Sequence, residues 1–212
     1  MYEIQRGFAL VSSRRQRHST SAPNSCSLHG QAPKYEHHPF YPGHVREYCT
    51  LNISPTWTAT RWANMYLAYD MLSELMKQLV SSLRAVHSFA KNFTPERFHE
   101  LGIEDRRDEM YVAHLPVSHP VARTNPETRR KALFVNQDFT SHIEGVPSRE
   151  SDALLRFLYE HMAQPEFQVR WRWEAGNVAF WDNRWAQHCA LGDYYPQRRR
   201  VRRATIAGDR PV

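Results

Sequence analysis

The chain has 212 residues, of which 41% are apolar and 12% aromatic, enough for one domain with a real core, or one domain with a tail. Its formal charge of +6 is local, because Arg198, Arg199, Arg200, Arg202 and Arg203 sit in one run and the remainder is close to neutral. That distribution argues against a general nucleic-acid surface.

Cys26, Cys49 and Cys189 are widely spaced and form no CxxC pair, so neither a disulfide framework nor a zinc knuckle is expected. A reducing, cytoplasmic compartment fits this usage. No run approaches the ~18 apolar residues of a membrane span. The opening "MYEIQRGFALVSSRR" lacks an apolar core followed by a small-residue cleavage site, so no export signal is expected.

Residues 4–35 contain no acidic residue and are rich in Ser, Arg, His, Gln and Pro. Such composition offers little apolar surface against chain entropy, and residues 1–57 are predicted to be irregular or disordered. An Arg- and Ser-rich, acid-poor leader also matches a mitochondrial transit peptide, although its amphipathic pattern is weak. From Trp62 the texture changes. Ala68, Leu72, Leu75, Leu79, Leu83 and Val86 recur at helical steps, predicting an amphipathic helix or two, with Ser73 capping the second and this face in the core.

Residues 94–115 read as a mobile connection or short helix. "NPET" then marks a turn between two short strands, and "SRESDALLRFLYEHMAQPEF" a helix opened by Ser148 and stopped before Pro165. In "FQVRWRW" the apolar Phe167, Val169, Trp171 and Trp173 alternate with polar residues, a strand with one buried face. "EAGN" turns the chain into the strand "VAFWD", and "ATIAG" gives a last short one. Without internal repeats, the C-terminal part is predicted to be antiparallel sheet with helices packed outside.

His188 lies in what reads as a polar turn, followed by Arg199 and Arg203. A lone histidine near a strand end is most often an ordinary residue, and a run such as "RRRVRR" often marks a solvated edge, a localisation signal or a nucleic-acid patch. If "RRVRRATI" is extended, Arg199, Val201 and Arg203 share one face. Two same-face guanidiniums suit carboxylate or sulfonate binding.

The segments "HPVARTNPETRRKALFVNQDFTSHIEGV" and "PEFQVRWRWEAGNVAFWDNRWAQHCALGDYYPQRRRVRRATIAGDRP" closely resemble the C-terminal half of taurine dioxygenase-like (TauD/TfdA) proteins. Upstream, the resemblance continues through "WANMYLAYDMLSELMKQLVSSLRAVH", from roughly Thr60 to the end, and residues 1–57 do not resemble the family. It implies an Fe(II)- and 2-oxoglutarate-dependent oxygenase, mainly β with flanking helices, built as a double-stranded β-helix or jelly roll. By the same resemblance His188 takes the place of the distal iron-ligating histidine. Arg199 takes that of the arginine clamping 2-oxoglutarate, and Arg203 that of the arginine holding the substrate anion, a sulfonate or carboxylate. Thr60 stands where a threonine contacts the cosubstrate, although the family's Gly-Gly-Asp-Thr turn here reads "WTAT". The implied partners are dioxygen and a small anion, with neither membrane nor nucleic acid, and a homo-oligomer is left open.

One departure matters. Such iron sites need two histidines and a carboxylate, and the family supplies the first pair as His-x-Asp upstream of the threonine. The corresponding stretch, near Pro33 to Tyr35, holds no such pair, and among 12 histidines only His142-Ile143-Glu144 has the form, in a place that is not the family's metal site. His37, His38 and Glu36 lie near the right distance with the wrong spacing. The expectation is the C-terminal part of a jelly-roll domain, residues 58–212, that binds iron poorly and turns over slowly or not at all. Rival readings are a non-catalytic remnant that binds an anion or a partner subunit, and a basic-patch nucleic-acid binder.

Overall fold

The computed structural model describes residues 59–174 and 176–191, together with the backbone of three further strands. In chain order the strands are β1 (Phe8–Val11), β2 (Arg46–Ile53), β3 (Ala59–Asn64), β4 (Arg84–His87), β5 (Val117–Pro120), β6 (Ala122–Thr124), β7 (Lys131–Leu133), β8 (Thr140–Ile143), β9 (Gln168–Arg172), β10 (Val178–Trp181), β11 (Ala186–Ala190) and β12 (Arg199–Ile206). The helices are α1 (Met65–Asp70), α2 (Glu74–Ser82), α3 (Pro95–Leu101), α4 (Arg107–Ala113) and α5 (Ser148–Met162). β1 and β2 fall inside the segment predicted to be irregular, and the rest of residues 1–57 lies outside the described residues.

Every described strand pairing is antiparallel. The orders are β1-β10-β2-β12, β11-β3-β9, β5-β4-β8 and β6-β7. The first two sheets meet through Trp62, Trp173, Ala179, Trp181 and Ala186, a tryptophan-rich core. A second core gathers Met65, Leu72, Val80, Leu133, Ile143, Leu155 and Leu158 where the helices pack on β4 to β8. This layering follows from strands with one apolar face and helices with one apolar stripe.

Locally, Asn64 ends β3 and caps α1, its Oδ1 accepting from Tyr66 N at 3.0 Å and Leu67 N at 3.2 Å. Ser73 caps α2 as the sequence predicts, accepting from Met76 N at 3.3 Å. The long apolar periodicity is nevertheless not one core stripe. The chain breaks between α1 and α2, the helical phase resets, and α2 turns Val80 inward while Leu75 is 80% and Leu79 44% exposed. Val86 lies in β4, not in a helix.

Residues 94–115 form α3 and α4, anchored by Phe98, which is fully buried against Phe89, Phe93 and Tyr111. Gly102 supplies the left-handed C-cap of α3 at φ 65°. The "NPET" turn joins β6 to β7 as predicted, with Asn125 Oδ1 accepting from Glu127 N and Thr128 N. Arg129 closes that turn at φ 59°, a left-handed conformation costly for a residue with a Cβ. Ser148 begins α5 but does not cap it, because Pro147 holds the N-cap position. The "ATIAG" strand is longer than predicted and starts at Arg199. No described helix is long and apolar enough to cross a membrane.

Candidate active site

The site grows from the β11-β3-β9 sheet. Register places His188 opposite Trp62, and Ala190 opposite Thr60. On the other side of β3, Trp171 lies opposite Thr60 and Val169 opposite Trp62. Directly opposed antiparallel residues share a face. One face therefore presents two adjacent rows, Ala190, Thr60 and Trp171, then His188, Trp62 and Val169. The structure so brings together Thr60 and His188, two residues the sequence left far apart.

His188 is in a strand, not in the polar turn expected of it, because "WDNRW" forms the turn before it. Asp182 accepts there from Arg184 and from the backbone of Arg184, and its carbonyl accepts from Trp185 N and Ala186 N. The Asp182–Arg184 pair is a fork, with Nη2 to Oδ2 at 2.8 Å and Nε to Oδ1 at 3.1 Å. That pairing raises the Arg184 pKa. The turn returns β11 so that the exposed His188 ring packs on Trp181 at 5.1 Å. Trp181 fixes its own indole by donating to Asn183 Oδ1 at 2.7 Å.

Thr60 is 3% exposed, and its hydroxyl accepts from Trp173 Nε1 at 2.8 Å. On the opposite face of β11, Gln187 donates to the Val135 carbonyl, contacts Met162 Sδ at 3.8 Å and accepts from Asn136 Nδ2 at 3.4 Å. The strand bearing His188 is thus tied to the loop after β7 and to α5. Cys189 is disulfide-bonded, although the spacing of the cysteines suggests no disulfide framework.

The four predicted site residues fare unequally. Thr60 and His188 share the face described above. Arg199 and Arg203 both lie on β12, which pairs with β2, and their side chains lie outside the described residues. His142 is exposed at the end of β8 and contacts Ser141 Oγ at 3.0 Å, while Glu144 accepts from Ser118 at 2.7 Å. Both serve the surface of the β5-β4-β8 sheet. Among the described residues no group of three His, Cys, Asp or Glu could hold a metal ion. His37, His38 and Glu36 lie outside the described residues.

Sequence reasoning gave Trp171 and Trp173 a core role only and did not single out Trp62. The signal was present as alternation on β9, but the pairing with β3 that sets these indoles around Thr60 is non-local. A second cluster also went unremarked. The buried Arg123 guanidinium lies over Phe134 at 5.3 Å and Trp185 at 4.9 Å, and Trp185 stacks on Tyr66 at 5.2 Å. His87 and His119 flank Phe134, each at 5.4 Å. Burial first, then the charge of His119, lowers the His87 pKa to about 4.

The chain matches the family model "Taurine catabolism dioxygenase TauD, TfdA family" over residues 20–205. That match begins upstream of residue 58, where the resemblance read from sequence starts. An alkylsulfatase of Acinetobacter baylyi is 38% identical over 161 residues, 75% of this chain and 50% of the relative. An alpha-ketoglutarate-dependent sulfate ester dioxygenase of Pseudomonas putida is 39% identical over 155 residues, 72% of this chain and 51% of the relative. The chain thus spans about half the length of these curated relatives.

Among solved structures, a putative alpha-ketoglutarate-dependent taurine dioxygenase from Burkholderia xenovorans superposes with a TM-score of 0.66 at 36% identity, covering 80% of this chain and 54% of the other. AAD-2 in complex with Mn(II) and N-oxalylglycine gives a TM-score of 0.68 at 31% identity, covering 80% and 66%. The jelly-roll architecture of TauD-type dioxygenases is therefore the fold of this chain, which belongs to the TauD/TfdA family.

Proposed function

We propose that this chain forms the cosubstrate-binding part of a 2-oxoglutarate-dependent dioxygenase acting on a small anionic substrate, a sulfonate or sulfate ester. The observation that carries this reading is that Thr60 and His188, the two described residues assigned to the site by resemblance, occupy neighbouring rows of one sheet face. The names of the relatives, a sulfate ester dioxygenase and an alkylsulfatase, support the substrate class.

In this reading His188 offers an imidazole, a donor suited to Fe(II), and Thr60 a hydroxyl for a carboxylate oxygen. Arg199 and Arg203 on β12 offer charge-assisted bonds to the cosubstrate and to the substrate anion. The iron's ligand set is not complete among the described residues. We accordingly propose that iron binding by this chain is weak and turnover slow.

An anaerobic titration with Fe(II) and 2-oxoglutarate tests the proposal. A visible charge-transfer band that is lost in His188→Ala supports it. Folded protein that shows no band at saturating iron and keto acid refutes iron chemistry at this face.

A further inference from the structure

We propose that the outward face of α2 is a self-association surface, on which a second copy of this chain packs its own α2 antiparallel about a two-fold axis. Nothing in this depends on iron or on the dioxygenase reading.

α2 carries two apolar stripes. Val80 is fully buried, and Met76 and Leu83 pack against the same core. On the outward side Leu75 is 80% and Leu79 44% exposed, and Met71, just before the helix, is 64% exposed. Of the 7 large apolar side chains exposed among the described residues, these 3 are close neighbours in sequence, whereas Val112, Leu115, Phe157 and Val178 lie elsewhere on the chain. A helix apolar on two sides calls for a neighbour on each. An exposed apolar cluster with polar residues beside it marks an interaction surface.

Spacing defines that surface. Leu75, Gln78, Leu79 and Ser82 follow the i, i+3, i+4, i+7 pattern of a single helical face, and all four are exposed. Two leucines and two neutral polar side chains therefore alternate along the outward ridge.

Charge and hydrogen bonding select the occupant. A two-fold contact sets a patch against itself, so a patch of one sign repels its copy. Here the acidic Glu74 at the edge of the face is matched within the helix by Lys77 Nζ at 2.8 Å. The face so carries no net charge to repel a copy or to select a charged partner. The Gln78 carboxamide both donates and accepts, and across a two-fold axis it meets its own copy with one bond given and one taken. Leu75 then packs beside Leu79 of the second copy, and the antiparallel arrangement opposes the two helix dipoles. A single short helix on each side buries less than a standard interface, so the dimer is weak, with Kd on the order of 100 µM.

Sedimentation equilibrium of the whole chain, up to about 0.5 mM, is expected to show a monomer–dimer equilibrium that goes no further than two copies. Leu75→Glu and Leu79→Glu are expected to raise Kd about tenfold or more, as for a leucine left in water. Val112→Glu, at a position 76% exposed on α4, should leave Kd unchanged. Circular dichroism checks that each variant is folded, and where Leu79→Glu is not, Leu75→Glu decides, because its side chain contributes little to the monomer. A short bis-maleimide should join two Gln78→Cys chains to each other at that position, as mapped by proteolysis and mass spectrometry. Arg156→Cys, exposed on α5, should not be joined to its own copy.

A chain that stays monomeric at the highest concentration overturns the proposal, and the outward face of α2 then has another occupant. A dimer whose Kd ignores Leu75→Glu, or assemblies that grow beyond two copies, also overturn it. None of these outcomes bears on the charge-transfer band, so this surface and the iron reading stand or fall separately.

Discussion

Trp173 reaches across the β3-β9 pairing to donate its indole N–H to Thr60 Oγ1 at 2.8 Å, with both residues buried. The bond fixes the rotamer of a threonine that faces His188's row. Thr60→Val leaves the indole unpaired and is expected to cost about 1–3 kcal/mol. Trp173→Phe also removes packing and should cost at least as much. A double-mutant cycle read by urea unfolding should give a coupling energy of about 1 kcal/mol. Additive losses would show that the bond contributes nothing.

Arg129 adopts φ 59° in the turn between β6 and β7. An L-residue there pays about 1–2 kcal/mol that glycine avoids, offset in part by glycine's greater freedom when unfolded. Arg129→Gly should therefore stabilise the fold, by about 0.5–1 kcal/mol. Chemical denaturation checks it, and a lower midpoint refutes the strain.

The half-buried ring of His87 faces His119 at 5.2 Å, with Phe134, Thr140 and Lys91 around it, and its pKa falls from 6.5 to about 4. The unfolded chain takes up a proton near pH 6.5 that the folded chain refuses until about pH 4. Stability is thus complete above pH 6.5 and declines as pH falls toward 4, by up to about 3 kcal/mol from this residue. Burial lowers the His114 pKa too, in the same sense. His87→Phe should flatten the thermal midpoint between pH 6.5 and 4, and an unchanged slope would remove His87 as the cause.

Positions on α2 test the helical phase. Leu75, 80% exposed, should tolerate Leu75→Gln within about 0.5 kcal/mol. Val80, fully buried, should lose about 2 kcal/mol or more as Val80→Ala. Equal costs would contradict the observed phase.

How much of this was legible depended on range. Local chemistry read well: Ser73 as a cap, "NPET" as a turn, and the alternation of Val169 and Trp171 as a half-buried strand all have causes within a few residues. The helical stripe through Leu75 and Leu79 misled because a short break at Met71–Ser73 rotates everything after it, and residue spacing carries no trace of that rotation. His188 was singled out by resemblance, and its setting was misjudged because a strand of alternating small and polar residues, "AQHCA", carries little β signal of its own. Nor could spacing reveal that Thr60, Trp62 and Trp171 share a face with it, since registry between distant strands is set by the whole core.

The tie made by Gln187 has a consequence for motion. β11 presents His188 to the tryptophan-rich core and Gln187 to Val135, Asn136 and Met162 on the helical side. It cannot detach from one layer without losing its grip on the other, so its opening is cooperative with α5 and does not proceed as fraying from an end. Backbone amides of Gln187 and His188 should exchange with solvent at the slow rate shared by α5. Gln187→Ala should release them to faster, local exchange while α5 keeps its own protection, turning a strand that belongs to two layers into one that breathes alone.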